Sequence, residues 1–227
     1  MFYYYGRKKQ IARFYPKPQY NTIIEPFAGS AAYSLFDKNW ENTVLLFDTN
    51  KWCIDIWLYL KQASKSDILN LPDIECGQSL ESLQQLSTQE KNLIGVHINP
   101  GSSSPKLTAT KASRWKAGKK YISENIHKIK HWEIKQADYS QAPNIKATWF
   151  IDPPYQKAGV HYCGKQPDYT KLGIWVQNLK GQIIACEGEG ATWLPFIPLT
   201  IINNGGLNKA KRKKELLFIK DSLRDED

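Results

Sequence analysis

Asn21-Thr22-Ile23-Ile24-Glu25-Pro26-Phe27-Ala28-Gly29-Ser30-Ala31-Ala32 runs from an apolar stretch of strand type into an acid, a proline and a tight turn of small residues. Tyr33, Leu35 and Phe36 follow at positions that can begin a helix. Strand, tight turn and helix form the opening unit of a doubly wound sheet, in which small side chains let a ligand approach the backbone. A strict GxGxxG is absent and Glu25 would repel phosphate, so the loop does not point to a nicotinamide dinucleotide.

The units downstream repeat the theme of a strand closed by an acid. Val44 to Phe47 ends in Asp48-Thr49-Asn50, where an acid is placed to take ribose hydroxyls or simply to cap the next helix, Trp52 to Leu60. A third strand, Trp132 to Ala137, ends at Asp138-Tyr139-Ser140. A fourth, Ala147 to Phe150, runs into Ile151-Asp152-Pro153-Pro154-Tyr155. Two consecutive prolines forbid an ordinary helical turn, which leaves a stiff loop holding a carboxylate, a backbone carbonyl and an aromatic ring in fixed relation. That set suits a planar ligand with an amino group; the plain alternative is a proline-rich strand exit whose aspartate caps a turn. Gln182 to Cys186 is a fifth strand, and Leu199 to Ile202 with Leu216 to Ile219 make a closing antiparallel hairpin around a long loop. Residues 61–130 are less regular: short helices within Ser64 to Gln89, a strand or buried helix end at Leu93 to Ile98, a basic loop from Lys106 to Lys120 with Trp115, and a helix from Tyr121 to Lys130. Gln156 to Thr170 reads as a substrate loop and Lys171 to Lys180 as a helix.

With 227 residues and 41% hydrophobic side chains, the chain can bury a sizeable core. The net charge of +9 favours a polyanionic partner, and its distribution is uneven. Lys106, Lys111, Arg114 and Lys116 fall in one basic stretch and Lys209, Lys211, Arg212 and Lys213 in another, both of the composition that lies against a phosphate backbone. Cys53, Cys76, Cys163 and Cys186 are far apart and no histidine stands at ligand spacing, so neither a metal site nor a disulfide framework is expected. No apolar run is long enough to span a bilayer, and an intracellular protein is expected.

Taken in order, the motifs resemble the adenine methyltransferases of the DNA adenine methylase type. Tyr4-Tyr5-Gly6-Arg7-Lys8 looks like the family's N-terminal lysine motif, Glu25-Pro26-Phe27-Ala28-Gly29-Ser30 like its methionine-binding loop, and Asp152-Pro153-Pro154-Tyr155 like its catalytic motif. The resemblance implies a Rossmann-like methyltransferase fold, S-adenosyl-L-methionine as cofactor and double-stranded DNA as substrate, in a bacterial or phage-infected cytoplasm. It further implies that Tyr4, Gly6, Lys8 and Glu25 to Ser30 surround the methionine half of the cofactor, that Asp48 and Asn50 meet the ribose and that Asp138 and Tyr139 meet the adenine. Asp152 and the Pro153 carbonyl would accept from the target amine, Pro154 would stiffen the loop and Tyr155 would stack on the extruded base.

The chemistry agrees with those roles. An exocyclic amine is a poor nucleophile because its lone pair is delocalised, and two acceptors on its hydrogens turn that pair toward an electrophile. Two departures matter. Arg7 stands where the family has a second glycine, leaving Arg7 and Lys9 as alternatives to Lys8. Asp138 and Asp152 are 14 positions apart, too close to hold the family's target-recognition domain. Residues 1–60 and 131–227 are therefore expected to form the catalytic domain, with 61–130 inserted for target recognition and a short or relaxed recognition site. A cytosine-amino target, an RNA substrate and an inactive nucleic-acid-binding module of the same fold are the competing readings.

Overall fold

The structure, a computed structural model, describes residues 1–4, 8, 11–100, 102–157, 166–199 and 215–221. Its sheet is built from β1 (Thr22–Glu25), β2 (Thr43–Asp48), β3 (Glu133–Gln136), β4 (Ala147–Ile151), β5 (Gly181–Gly188), β6 (Ile197–Pro198) and β7 (Glu215–Lys220). The strand order is β3-β2-β1-β4-β5-β7-β6. Pairings from β3 through β5 are parallel, and β7 is antiparallel to both β5 and β6. This is a Rossmann-like methyltransferase sheet, mostly parallel and closed by an antiparallel hairpin. The order of strands reverses between β1 and β4, and the crevice beyond the carboxyl ends of two such strands is where open α/β sheets bind ligands.

Alternation along each strand sorts the core into two layers. Ile23, Val44, Leu46, Phe150, Ile184 and Cys186 face one hydrophobic cluster, and Ile24, Leu45, Phe47, Trp149, Ile151 and Ile183 face the other. The first layer is completed by α1 (Lys51–Gln62), α3 (Thr88–Ile98) and α4 (Trp115–Asn125) through residues such as Trp57, Ile94 and Ile122. The second is covered by α5 (Tyr169–Gln177) through Leu172 and Val176. The helix α2 (Lys65–Asn70) opens on a capping box between Ser64 and Asp67, and α3 on one between Ser87 and Glu90, which satisfy the first free N–H groups of each. None of the helices among the described residues is long and apolar enough to cross a membrane.

Three expectations change and one open alternative is settled. No α-helix joins β1 to β2: Ala31 and Asp37 take φ values of 46° and 49°, a left-handed conformation that a right-handed helix cannot absorb, and the segment curls in successive turns instead. Of the two readings at Leu93 to Ile98, the buried helix end holds: it closes α3. Trp115 does not lie on a basic loop; it begins α4 with 1% exposure and donates from Nε1 to the Pro72 carbonyl at 2.8 Å. The first hairpin strand, expected at Leu199 to Ile202, is Ile197–Pro198, and residues 200–202 lie outside those described.

Phe150 is the ring that joins sheet and N-terminal segment: it stacks on Tyr33 at 4.5 Å between centroids and meets Tyr15 at 5.1 Å. Phe150→Ala is expected to cost about 3–5 kcal/mol, read from denaturant unfolding, because both tyrosines lose their partner while the strand stays in register.

Candidate active site

Glu25 ends β1, Asp48 ends β2, Asp138 follows β3 and Asp152 follows β4. All four carboxylates line one cavity of about 630 Å³ at the point where the strand order reverses. Parallel strands of matched register bring this about: each acid stands at or just past the carboxyl end of its strand, so each emerges on the same edge of the sheet. The cavity also gathers Tyr4, Lys8, the loop from Pro26 to Ser30, Asn50, Tyr139 and Pro154. Gly6 lies outside the described residues, and Pro153 and Tyr155 are not part of the cavity wall.

The loop after β1 is held from below. Gly29 has φ of 45°, its N–H donates to Asp48 Oδ2 at 2.9 Å, and its carbonyl accepts from Trp57 Nε1 at 2.8 Å. Tyr4 lies over it so closely that a Cβ at Gly29 would stand 3.1 Å from the ring. The first aromatic residues dock as a strap: Phe2 on Trp57, Tyr3 on His97 and Tyr4 on Trp52, with centroids 5.0, 5.2 and 5.4 Å apart. Asp48 is thereby committed to the fold as well as to the cavity, since its Oδ1 accepts from Asn50 N at 2.8 Å. Asp138 caps the turn after β3 through Ser140, and Tyr139 stacks on Phe27 at 5.4 Å, offering an aromatic wall.

Around Asp152 the geometry is electrostatic. Lys8, only 6% exposed, places its Nζ 2.9 Å from Asp152 Oδ1 and donates to Tyr155 Oη at 2.5 Å. Apart from that ion pair, the buried Asp152 Oδ1 has no hydrogen-bond partner among the described residues. Burial pushes the Asp152 carboxyl up to about 6, with Lys8 opposing the rise and the nearby Glu215 and Glu187 adding to it. The stiff loop is pinned beyond the aspartate: Tyr169 on α5 donates to the Pro154 carbonyl at 2.6 Å, and both oxygens of Glu187 accept from Gln156 N at 3.0 Å. Tyr155 turns inward, its ring over Gly188, where a Cβ would stand 2.8 Å away, and its hydroxyl donates to Glu215 Oε1 at 2.8 Å.

Glu187 and Glu215 carry no role in the sequence reading, and Gln166 and Tyr169 enter it only as members of the substrate loop Gln156 to Thr170. Glu187 sits in the Glu-Gly-Glu-Gly stretch after the fifth strand, and its complete burial is what marks it out. Glu215 follows two lysines and looks like a solvated charge until β7 buries it. Gln166 lines the cavity with a buried Nε2 that has no hydrogen-bond partner among the described residues, a donor left for a ligand. Of the expected nucleic-acid contacts, Lys106, Lys111, Arg114 and Lys116 are exposed, while Lys209, Lys211, Arg212 and Lys213 lie outside the described residues.

Glu25 supplies a test of the site's electrostatics. It is 2% exposed, and burial pushes its carboxyl from 4.5 up to about 8, against the hydrogen bond from Ser34 N to Oε1 at 2.8 Å. A raised folded-state value means stability present below the unfolded value and lost as pH climbs through the folded one. Urea unfolding of the wild type should therefore lose stability between pH 4.5 and about 8, and Glu25→Gln should lose distinctly less across the same window; equal slopes would contradict the burial of a neutral Glu25.

Comparison with known proteins points the same way. Residues 4–95 match the model of the D12 class N6 adenine-specific DNA methyltransferase family. That span holds the N-terminal lysine motif, the Glu25 to Ser30 loop and Asp48, and it ends before β3. No curated protein matches the chain. The resemblance carried by the motifs is borne out: over residues 4–95 the chain is similar to the D12 class N6 adenine-specific DNA methyltransferases.

Proposed function

We propose that the protein transfers a methyl group from S-adenosyl-L-methionine to the 6-amino group of adenine in double-stranded DNA, at a short or relaxed recognition site. The observation that carries this reading is the Asp152 carboxylate, paired through Oδ1 with Lys8 at 2.9 Å, on the wall of a cavity whose floor is the close-packed Gly29 loop. Comparison supports adenine methylation of DNA.

The residues present fit the cofactor. The cavity falls within the range of about 300–1,000 Å³ common for small-molecule sites, and the orphaned Gln166 amide asks for an acceptor. Glu25 to Gly29, Tyr4 and Lys8 would hold the methionine half, Asp48 and Asn50 the ribose, and Asp138 with Tyr139 the adenine. Bound there, the cofactor supplies an activated methyl carbon.

The chain's own groups then do the positioning. Asp152 accepts from one hydrogen of the target amine, and the Pro153 carbonyl accepts from the other. Tyr169 occupies the Pro154 carbonyl and so fixes the peptide that presents its neighbour. Two acceptors draw the amine toward tetrahedral geometry and free its lone pair, which is a matter of orientation and field more than of base strength. The base reaches Asp152 only after leaving the helix stack, at a cost of a few kcal/mol that stacking on Tyr155 offsets in part. Residues 1–60 and 131–227 form the catalytic part, and residues 61–130, with the exposed Lys106, Lys111, Arg114 and Lys116, meet the DNA.

Incubation with labelled cofactor and plasmid DNA, followed by digestion to nucleosides, should place the label in N6-methyladenine; label in cytosine, or in RNA alone, overturns the substrate. Asp152→Ala should abolish transfer and leave cofactor affinity within about threefold in a binding titration, since the cradle of Gly29 is untouched. Because Asp152 must be ionised to accept, kcat should rise with pH through a midpoint of about 6; a flat acid limb would remove Asp152 from the amine.

A further inference from the structure

We propose that Glu215 is a positioning residue for this transfer: its carboxylate, seated between Tyr15, Tyr155 and Lys8, keeps Lys8 from neutralising Asp152 and sets the orientation of Tyr155. The inference rests on the methyl-transfer reading above and adds to it the source of the site's negative charge.

Glu215 opens β7 directly opposite Gly188 of β5, which places its side chain beside the Tyr155 ring that Gly188 makes room for. It is 8% exposed. One oxygen, Oε1, accepts from the Tyr15 hydroxyl at 2.8 Å and from the Tyr155 hydroxyl at 2.8 Å, with Lys8 Nζ at 3.7 Å. The same Nζ stands 2.9 Å from Asp152. A lone Lys8–Asp152 pair would sum to zero charge; with Glu215 the buried triad carries a net charge of −1.

Methyl transfer needs that sign. As the bond from the target nitrogen to the methyl carbon forms, the carbon's bond to the cofactor's sulfonium sulfur would break to leave a neutral thioether, so positive charge passes to the nitrogen, which becomes neutral again when its proton leaves to Asp152 and on to water. A fixed negative field stabilises the cationic stage, whereas a neutral ion pair barely does. Glu25 on β1 is held close to neutral by burial; Glu187 on β5, whose oxygens accept from Gln156 N, Gly188 N and Trp193 Nε1, adds to the negative field, while Lys8 Nζ pairs with Asp152 and Glu215. Cys186 on β5 and the hydroxyls of Tyr15 and Tyr155 are pushed far toward their neutral forms by burial. Glu215 is left as the charge that answers Lys8.

The test is Glu215→Gln, which keeps the shape and the tyrosine hydrogen bonds and removes the charge. Steady-state kinetics should show kcat lowered about 10- to 100-fold, with KM for cofactor and DNA within about twofold, as expected of a field felt in the transition state. The Asp152 carboxyl, followed by carbon-13 NMR and assigned with Asp152→Asn, should titrate at lower pH in the variant, because a repelling neighbour is gone and Lys8 is released to Asp152. Glu215→Asp retains the charge and should leave that midpoint where the wild type has it; a midpoint that drops in both variants overturns the role of charge. An active wild type whose kcat and Asp152 midpoint ignore Glu215→Gln overturns the proposal alone. An inactive wild type whose midpoint still drops supports the coupling and overturns the methyl-transfer reading.

Discussion

One ammonium group shared between two carboxylates governs the heart of this molecule. Removing a charge from water costs several kcal/mol unless partners repay it, and Lys8, Asp152 and Glu215 are all largely out of water. None of the three is tolerable there without the others. Tyr15 and Tyr155 finish the arrangement by giving Glu215 the hydrogen bonds that water would otherwise provide. The loop that carries Asp152 is stiff for the same reason: a loosely held carboxylate would turn out to solvent, while one pinned by Tyr169 and Glu187 remains where the ammonium can reach it.

How the fold delivers these groups follows from strand alternation. A parallel sheet buried on both faces needs apolar residues at every position, and the first place a polar residue is tolerated is the strand end. Four strands in matched register therefore present four acids along one edge, and the reversal of strand order opens a crevice between two of them. The same logic explains why three of those acids were readable in the amino-acid sequence: apolar runs closed by Glu25, Asp48 and Asp152 are a local pattern, while Asp138 follows the mostly exposed edge strand β3.

What escaped the sequence is what depends on distant partners or on single dihedrals. Ala31 and Asp37 in the left-handed region end the helix that Tyr33, Leu35 and Phe36 suggest, and no side-chain pattern announces them. Trp115 stands among lysines, so composition assigns it to a surface, yet the carbonyl of Pro72 and the core beneath α4 claim it. Asp48 shows the limit of assigning one task to one residue, because it ties Gly29 and Asn50 to each other while also facing the cavity. Glu215 is the extreme case: it lies 200 positions from Tyr15, and nothing within a window of sequence links them.

That separation has a consequence for how the molecule comes into being. The strap bearing Lys8 belongs to the start of the described chain and β7 to its end, and the contacts that settle the buried charges span 147 and 200 positions. Contacts of such range close only after the intervening sheet exists, since loop-closure entropy must be overcome before they reward it. A nascent chain still lacking β7 would hold Lys8 and Asp152 without their counterweight. The balance of buried charge thus arrives with β7, the last described strand, and a chain still short of it holds an incomplete triad.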